Sequence, residues 1–257
     1  NMKTKMIFGL LICLAGFGFQ GVFGQELNKD SLWKHTRKNI VRYNLSSALI
    51  FGFDKSIILG YERILKPNQS ISFNAGTVAL PKLTTIGTDS VTFNKDVKNN
   101  GFNVSLDYRF YLNKINKYNA PRGVYIGPWY SYNRFKRENT WDLLNSNGSS
   151  KNIMANTDFN IHSFGFELGY QFIFWDRLAL DLVMIGPGMG IYNVNAKFDD
   201  NLTPAEREKL QQVITDGLEN KFPGMNFVFD DQQLNANGSL NVTSLGYRYI
   251  IHIGFRF

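Results

Sequence analysis

Eight polar side chains occupy positions that the chain's alternation turns away from its apolar residues: Glu62, Asp107, Arg109, Glu167, Gln171, Asp181, Arg248 and His252. Acids and bases nearly match in this set. Isolated charges on the inward faces of a closed sheet are very costly, so the set is expected to pair into one network that plugs the interior. A narrow proton or ion path is the alternative use of such a line of groups. Hydrolytic or acyl-transfer chemistry needs a His, a nucleophile and an acid together. The histidines are His35, His162 and His252. His162 adjoins Ser163, but neighbours on a strand face opposite ways and form no dyad without a bulge. His252 has acids near it, which suits a structural hydrogen bond. No catalytic residue, cofactor or metal is expected. Asp199-Asp200 and Asp230-Asp231 read as solvated loop charge rather than calcium ligands.

Strands must position these groups, and the last one is the most regular. From Thr243 every second residue is Thr243, Leu245, Tyr247, Tyr249, Ile251, Ile253, Phe255 and Phe257. The other face carries Ser244, Gly246, Arg248, His252 and Arg256. Period-2 alternation of this length predicts a two-faced strand. A membrane strand needs ~9–11 tilted residues, with its apolar face on lipid. Slipping the register by one residue puts Arg248 on lipid at a cost of ~2–4 kcal/mol, so the register that hides it is preferred. The core strand of a soluble sandwich is the alternative.

Seven further strands are expected: 40–53, 56–65, 70–80, 102–112, 123–137, 160–174 and 178–191. Phe102, Val104, Leu106, Tyr108 and Phe110 alternate with Asn103, Ser105, Asp107 and Arg109 in the fourth. Phe164, Phe166, Leu168, Tyr170, Phe172 and Phe174 alternate with Gly165, Glu167, Gly169 and Gln171 in the sixth. Pro128 costs the fifth a ladder bond, so a bulge or local edge is expected there. Gly186-Pro-Gly-Met-Gly190 should bend the seventh. Connections at 81–101, 138–159 and 192–241 are long and alternate with shorter ones. That is the pattern of an up-and-down barrel with long loops outside the cell and short turns in the periplasm. The last loop contains Thr203-Pro-Ala-Glu206, a capping box with Pro at the first helical position. Leu210, Val213, Ile214 and Leu218 share one face of the helix 204–221 it predicts, which reads as a lid on the barrel mouth. A partner-docking helix is the alternative.

Met2-Lys-Thr-Lys5 and the apolar stretch 6–19 form a basic and a hydrophobic region, with small residues before Gln25. This predicts a secretory signal peptide over 1–24, a periplasmic segment over 25–38 and a barrel over 39–257. Cys13, the only cysteine, falls inside the signal, so no disulfide is expected. Removing 1–24 takes two lysines and no acid, and the net charge falls from +7 to +5 (7 − 2). No run of Lys and Arg and no binding motif points to nucleic acid, whereas contact with lipid headgroups fits. Aromatic residues make up 15% of the chain, a share that alternating membrane strands produce.

The export signal, the segment Gly123-Val-Tyr-Ile-Gly-Pro-Trp-Tyr130 and the terminal Gly254-Phe-Arg-Phe257 together resemble a family of eight-stranded outer-membrane barrels of Bacteroidetes-type bacteria. More distantly the chain is similar to the small OmpA- and OmpX-type barrels. The resemblance covers roughly 39–257 and implies an all-β, eight-stranded antiparallel transmembrane barrel in the outer membrane of a Gram-negative cell. It implies insertion by the barrel-assembly machinery, which reads a last strand with aromatic residues such as Tyr249, Phe255 and Phe257. It supplies no catalytic residues. The function expected is a structural or interaction role in the cell envelope, with outer-membrane lipid and other outer-membrane or periplasmic proteins as partners. A narrow pore or a lipid-A-modifying enzyme is the alternative.

Overall fold

A computed structural model describes residues 37–80, 87–88, 91–144, 150–198, 202–221 and 238–257. The predicted signal peptide, nearly all of the predicted N-terminal segment, and both loop acid pairs lie outside the described residues. The described elements, in chain order, are β1 (Asn39–Asn44), α1 (Leu45–Phe51), β2 (Ser56–Lys66), β3 (Gln69–Val78), β4 (Gly87–Thr88), β5 (Val91–Tyr111) and β6 (Gly123–Leu144). They continue with β7 (Ser150–Phe174), β8 (Leu178–Ile185), β9 (Pro187–Phe198), α2 (Pro204–Lys221), β10 (Ser239–Tyr247) and β11 (Ile250–Arg256).

Every strand pair is antiparallel, and the sheet returns on itself. The ladder runs β1–β2–β3–β5–β6–β7–β8–β11, and β11 pairs back onto β1 with Ile40 opposite Arg256 and Asn44 opposite His252. Such closure satisfies backbone groups that an open sheet would leave unpaired along its edges. Beyond β8, the long strand β7 continues and pairs with β9, which pairs with β10. One end of the ring is tied by tight turns. Trp175 and Asp176 adopt φ of 48° and 58°, a type I′ geometry whose twist matches that of the flanking strands. The Arg177 N–H closes this turn on the Phe174 carbonyl at 3.0 Å.

Three expectations are corrected. The predicted first strand, 40–53, stops at Asn44 and becomes α1. The Asn44 side chain accepts the Ser47 N–H at 2.9 Å as an N-cap, and Gly52 ends the helix at φ 106°. Ser46 Oγ then accepts the Ile251 N–H at 2.7 Å, so the helix supplies by side chain the bond a strand would have made by backbone. Secondly, the predicted last strand is broken at Arg248 and Tyr249 into β10 and β11, and the seventh is broken at Gly186 into β8 and β9. The two breaks meet, with the Arg248 N–H donating to the Gly186 carbonyl at 2.8 Å. The inward and outward faces read for 242–257 survive the break, since Arg248, His252 and Arg256 remain buried.

Thirdly, much of the segments read as loops at 81–101 and 138–159 is strand. β5 begins at Val91, β6 reaches Leu144 and β7 begins at Ser150, with Trp141 opposite Ile153. The alternation there is still period 2, but its polarity is exchanged. Between Val124 and Tyr132 the outward residues of β6 are apolar; from Arg134 to Asp142 they are mostly charged. On the inward side Phe135, Trp141 and Leu143 join Ile153, Phe159, Val194 and Leu240 in a buried apolar cluster. The far end of the sheet thus has an apolar cluster inside, beside the buried Arg137 and Asn139, and polar or charged residues outside, whereas the ring below it is polar inside and apolar outside. α2 packs Leu210 and Val213 into this cluster. The Thr203 N–H and hydroxyl both donate to the Glu206 carboxylate, at 2.8 and 3.0 Å, and hold it below the usual carboxylate range.

At Pro128 the β5–β6 ladder lapses between Asp107–Trp129 and Phe110–Ile126, and resumes in the same register. The missing N–H interrupts pairing without inserting a residue, so no bulge forms here. Gly127 lies in this gap, where a Cβ would come 1.8 Å from the Tyr108 carbonyl oxygen. Gly127→Ala should therefore force β5 and β6 apart and destabilise the protein by ~1–3 kcal/mol. The urea midpoint of the purified protein reads this directly, and an unchanged midpoint would contradict the close approach.

Candidate functional site

The ring encloses three guanidiniums, Arg42, Arg109 and Arg248, and four carboxylates, Glu62, Asp107, Glu167 and Asp181, together with His252 and Gln171. None is more than 7% exposed. Each but Arg248, which turns inward from the break between β10 and β11, sits on an inward position of its strand, so alternation brings residues far apart in sequence into one layer. Closure of β1 on β11 then sets Arg42 beside the groups carried by β8 and β11.

Arg42 is the centre of one half. Its guanidinium reaches Asp181 at 3.0 Å and Asp107 at 3.2 Å, donates to Ser72 Oγ at 2.7 Å, and has Glu62 at 3.6 Å. Its Nε donates to Asn74 Oδ1 at 3.0 Å. Arg109 is the centre of the other. It donates to Asp181 at 2.8 Å and to Gln171 Oε1 at 3.2 Å, and lies 3.4 Å from Glu167. Its guanidinium covers the Tyr125 ring at 4.3 Å, and the Tyr125 hydroxyl donates to Asp181 at 2.7 Å. Arg248 closes the set, 2.6 Å from Asp107, 3.6 Å from Glu167 and 5.1 Å above the Trp129 ring. Glu62 accepts from Ser70 Oγ at 2.6 Å, from the Tyr111 hydroxyl at 3.1 Å and from Gln171 Nε2 at 3.2 Å.

All eight residues picked out in the sequence lie in this one network. His252 is held by Nδ1 against Asp181 at 3.1 Å. That same carboxylate is already shared by Arg42, Arg109 and Tyr125, so it is committed to holding charge rather than to activating an imidazole. Arg42, Tyr111 and Tyr125 are members that sequence reading missed. Arg42 had a signal: Ile40, Arg42 and Asn44 alternate with Val41 and Tyr43. Tyr111 and Tyr125 had none, because an aromatic residue on an inward position reads as filler until its hydroxyl partner is known. Outside the ring, Tyr249, Phe255 and Phe257 are exposed on the outward face of the last strand. His162 and Ser163 part as alternation requires, and the His162 Nδ1 meets the Tyr130 hydroxyl at 2.8 Å.

No family model, curated protein or solved structure matches this chain.

What the network can do chemically is hold charge and fill space. Every carboxylate has at least one guanidinium within 3.6 Å. Among the described residues no group of His, Cys, Asp and Glu is arranged to hold a metal ion. Removing one member of a buried ionic set costs more than the set contributes, because the partners keep their desolvation penalty. Arg42→Met should destabilise by ~3–5 kcal/mol in urea unfolding. Arg248→Met combined with Glu167→Gln should cost less than the two single changes summed, since the second change removes a charge the first had stranded. Simple additivity in that cycle would show that the two groups do not interact.

Proposed function

We propose that this chain is an outer-membrane protein whose ring is an eight-stranded transmembrane barrel with a structural or interaction role in the cell envelope. The count of eight treats β8 with β9, and β10 with β11, as single bent strands, and β4 as a small addition to β5. The observation that carries the reading is the outward face of β7. Phe164, Phe166, Leu168, Tyr170, Phe172 and Phe174 form an uninterrupted apolar row, and the outward residues before them are Asn156, Asp158, Asn160 and His162. That row spans eleven residues (164 to 174), against the ~9–11 a tilted strand needs to cross a bilayer.

The same border is drawn on the neighbouring strands. The Tyr132 hydroxyl donates to Asn160 at 2.8 Å, and one step further out Arg134 pairs with Asp158 at 2.8 Å. At the other end Trp175 stands 85% exposed beside Phe174. Aromatic girdles at both borders of an apolar band, with charge only inside, are the arrangement lipid imposes on a closed sheet. A soluble protein gains nothing by exposing such a band. In this reading the tight turns face the periplasm and the polarity-exchanged extension, with α2 packed into it, projects outside the cell. The ionic network is a plug, the barrel-assembly machinery inserts the chain, and envelope proteins are the partners of the extension. The reading gives the protein no catalytic role and no cofactor.

Two measurements test this. Protein extracted from the outer membrane should migrate faster in SDS before boiling than after, and protease added to intact cells should cut within 192–241. A soluble periplasmic protein without a heat-dependent shift would sink the reading. Purified protein in planar bilayers should show no large, steady conductance, and a stable open pore would remove the plug.

A further inference from the structure

The two ends of the ring differ in charge. At the end tied by tight turns, Asp176 is the only acid among the described connections, and it is taken by Arg37 and by Arg256, the latter at 2.7 Å. Besides the half-buried Lys38, six further cations stand there: Arg63, Lys66, Lys114, Lys117, Arg122 and Arg177. All are exposed, and no carboxylate among the described residues pairs with any of them. The opposite border is mixed. There Arg134 has Asp158; farther along the extension Lys151 has Glu206 at 3.6 Å, and Glu138 and Asp142 alternate on β6 with Lys136.

These six cations follow the rim of the apolar band. Arg63 continues the outward row of Ile57, Leu59 and Tyr61. Arg177 lies over the Phe255 ring at 5.5 Å, and Arg122 over the Tyr118 ring at 4.2 Å. Ile115, in the same turn as Lys114 and Lys117, is 66% exposed. The backbone beneath is tied strand to strand: the Ala120 N–H donates to the Pro67 carbonyl at 2.7 Å, and the Arg256 N–H to the Arg177 carbonyl at 2.7 Å. Cations on long stems, mixed with exposed apolar side chains at the border of an apolar band, suit the depth at which lipid phosphates lie. An acidic protein would meet the end face of the turns, and would leave the sideways-facing Arg63 and the apolar Ile115 without partners.

We propose that this rim is a docking collar for the phosphodiester headgroups of net-anionic phospholipids in the leaflet facing the periplasm. The proposal rests on the membrane reading above. Each cation near an anionic surface contributes about 1 kcal/mol, or roughly fivefold in lipid preference. The collar should therefore select anionic over zwitterionic lipid and should lose that selection in high salt.

The test uses the full chain refolded into mixed micelles of phosphatidylglycerol and phosphatidylcholine, with retained lipid counted by native mass spectrometry. Wild type should retain phosphatidylglycerol at least about fivefold over its share of the mixture. The combined variant Lys66→Gln, Lys114→Gln, Lys117→Gln and Arg122→Gln should lose most of that enrichment and keep only what Arg63 and Arg177 still supply. Insertion of both proteins into pure phosphatidylcholine vesicles, read by the heat-dependent shift, is the separate check. Wild type that inserts but shows no enrichment overturns the collar and leaves the barrel standing. So does enrichment undiminished by the four substitutions, or displacement of phosphatidylglycerol by added polyglutamate. Failure of wild type to insert into any vesicle overturns the membrane reading itself.

Discussion

Three guanidiniums shared among four carboxylates inside a closed sheet are the constraint on which the rest of the structure depends. A buried ion is tolerable only when its partners are in place. Here those partners come from β1, β2, β5, β7, β8, β11 and the break between β10 and β11. Arg42 must meet Asp181, which requires the first strand to pair with the last. Arg109 must meet Gln171 and Asp181, which requires β5, β7 and β8 to stand in the observed register. A slip of one residue on any of these strands would carry a charge to the apolar outer face. The network therefore specifies register more than it adds stability.

Polarity is exchanged between the two faces along β5, β6 and β7. These strands keep one register through the exchange on β6 and β7, from Gly123–Gln171 to Leu144–Ser150. What changes is the chemistry assigned to each face. In the ring, Tyr130 and Phe164 face out and Glu167 faces in. In the extension, Lys136 and Asp158 face out and Trp141 and Ile153 face in. The crossing is marked by polar pairs on the outer surface, Tyr132 with Asn160 and Arg134 with Asp158. One sheet thus carries an apolar outer face at one end and a polar one at the other, and the apolar interior of the extension gives α2 a surface on which to bury Leu210 and Val213.

The breaks in the long strands serve the same geometry. Gly186, and the pair Arg248 and Tyr249, lie side by side where the sheet leaves the ring and enters the extension. Arg248 donates its backbone N–H across this joint while its side chain turns inward to Asp107. The helix α1 fills the corresponding place on the other flank of β11. It is tied there by Ser46, and its Leu49 and Ile50 remain exposed.

By itself the sequence determined what local chemistry controls. Period-2 alternation marked the ring strands and their inward faces, and Thr203-Pro-Ala-Glu206 marked the start of α2 at the residue where it begins. The turns at 66–69 and 175–177 were legible from Pro, Asn and Asp. Tertiary structure decided the remainder. The extension was hidden because its alternation has the opposite polarity, and only the pairing of Trp141 with Ile153 shows that its Asn- and Ser-rich stretches are strands. α1 was hidden because Leu45–Phe51 alternates well enough for a strand, and the helix wins only where Ser46 can cap an unpaired N–H of β11. Arg42, Tyr111 and Tyr125 joined the ionic interior because ring closure placed acids beside them. A residue's period fixes which way it points, but what it meets there depends on strands that the chain reaches only after folding.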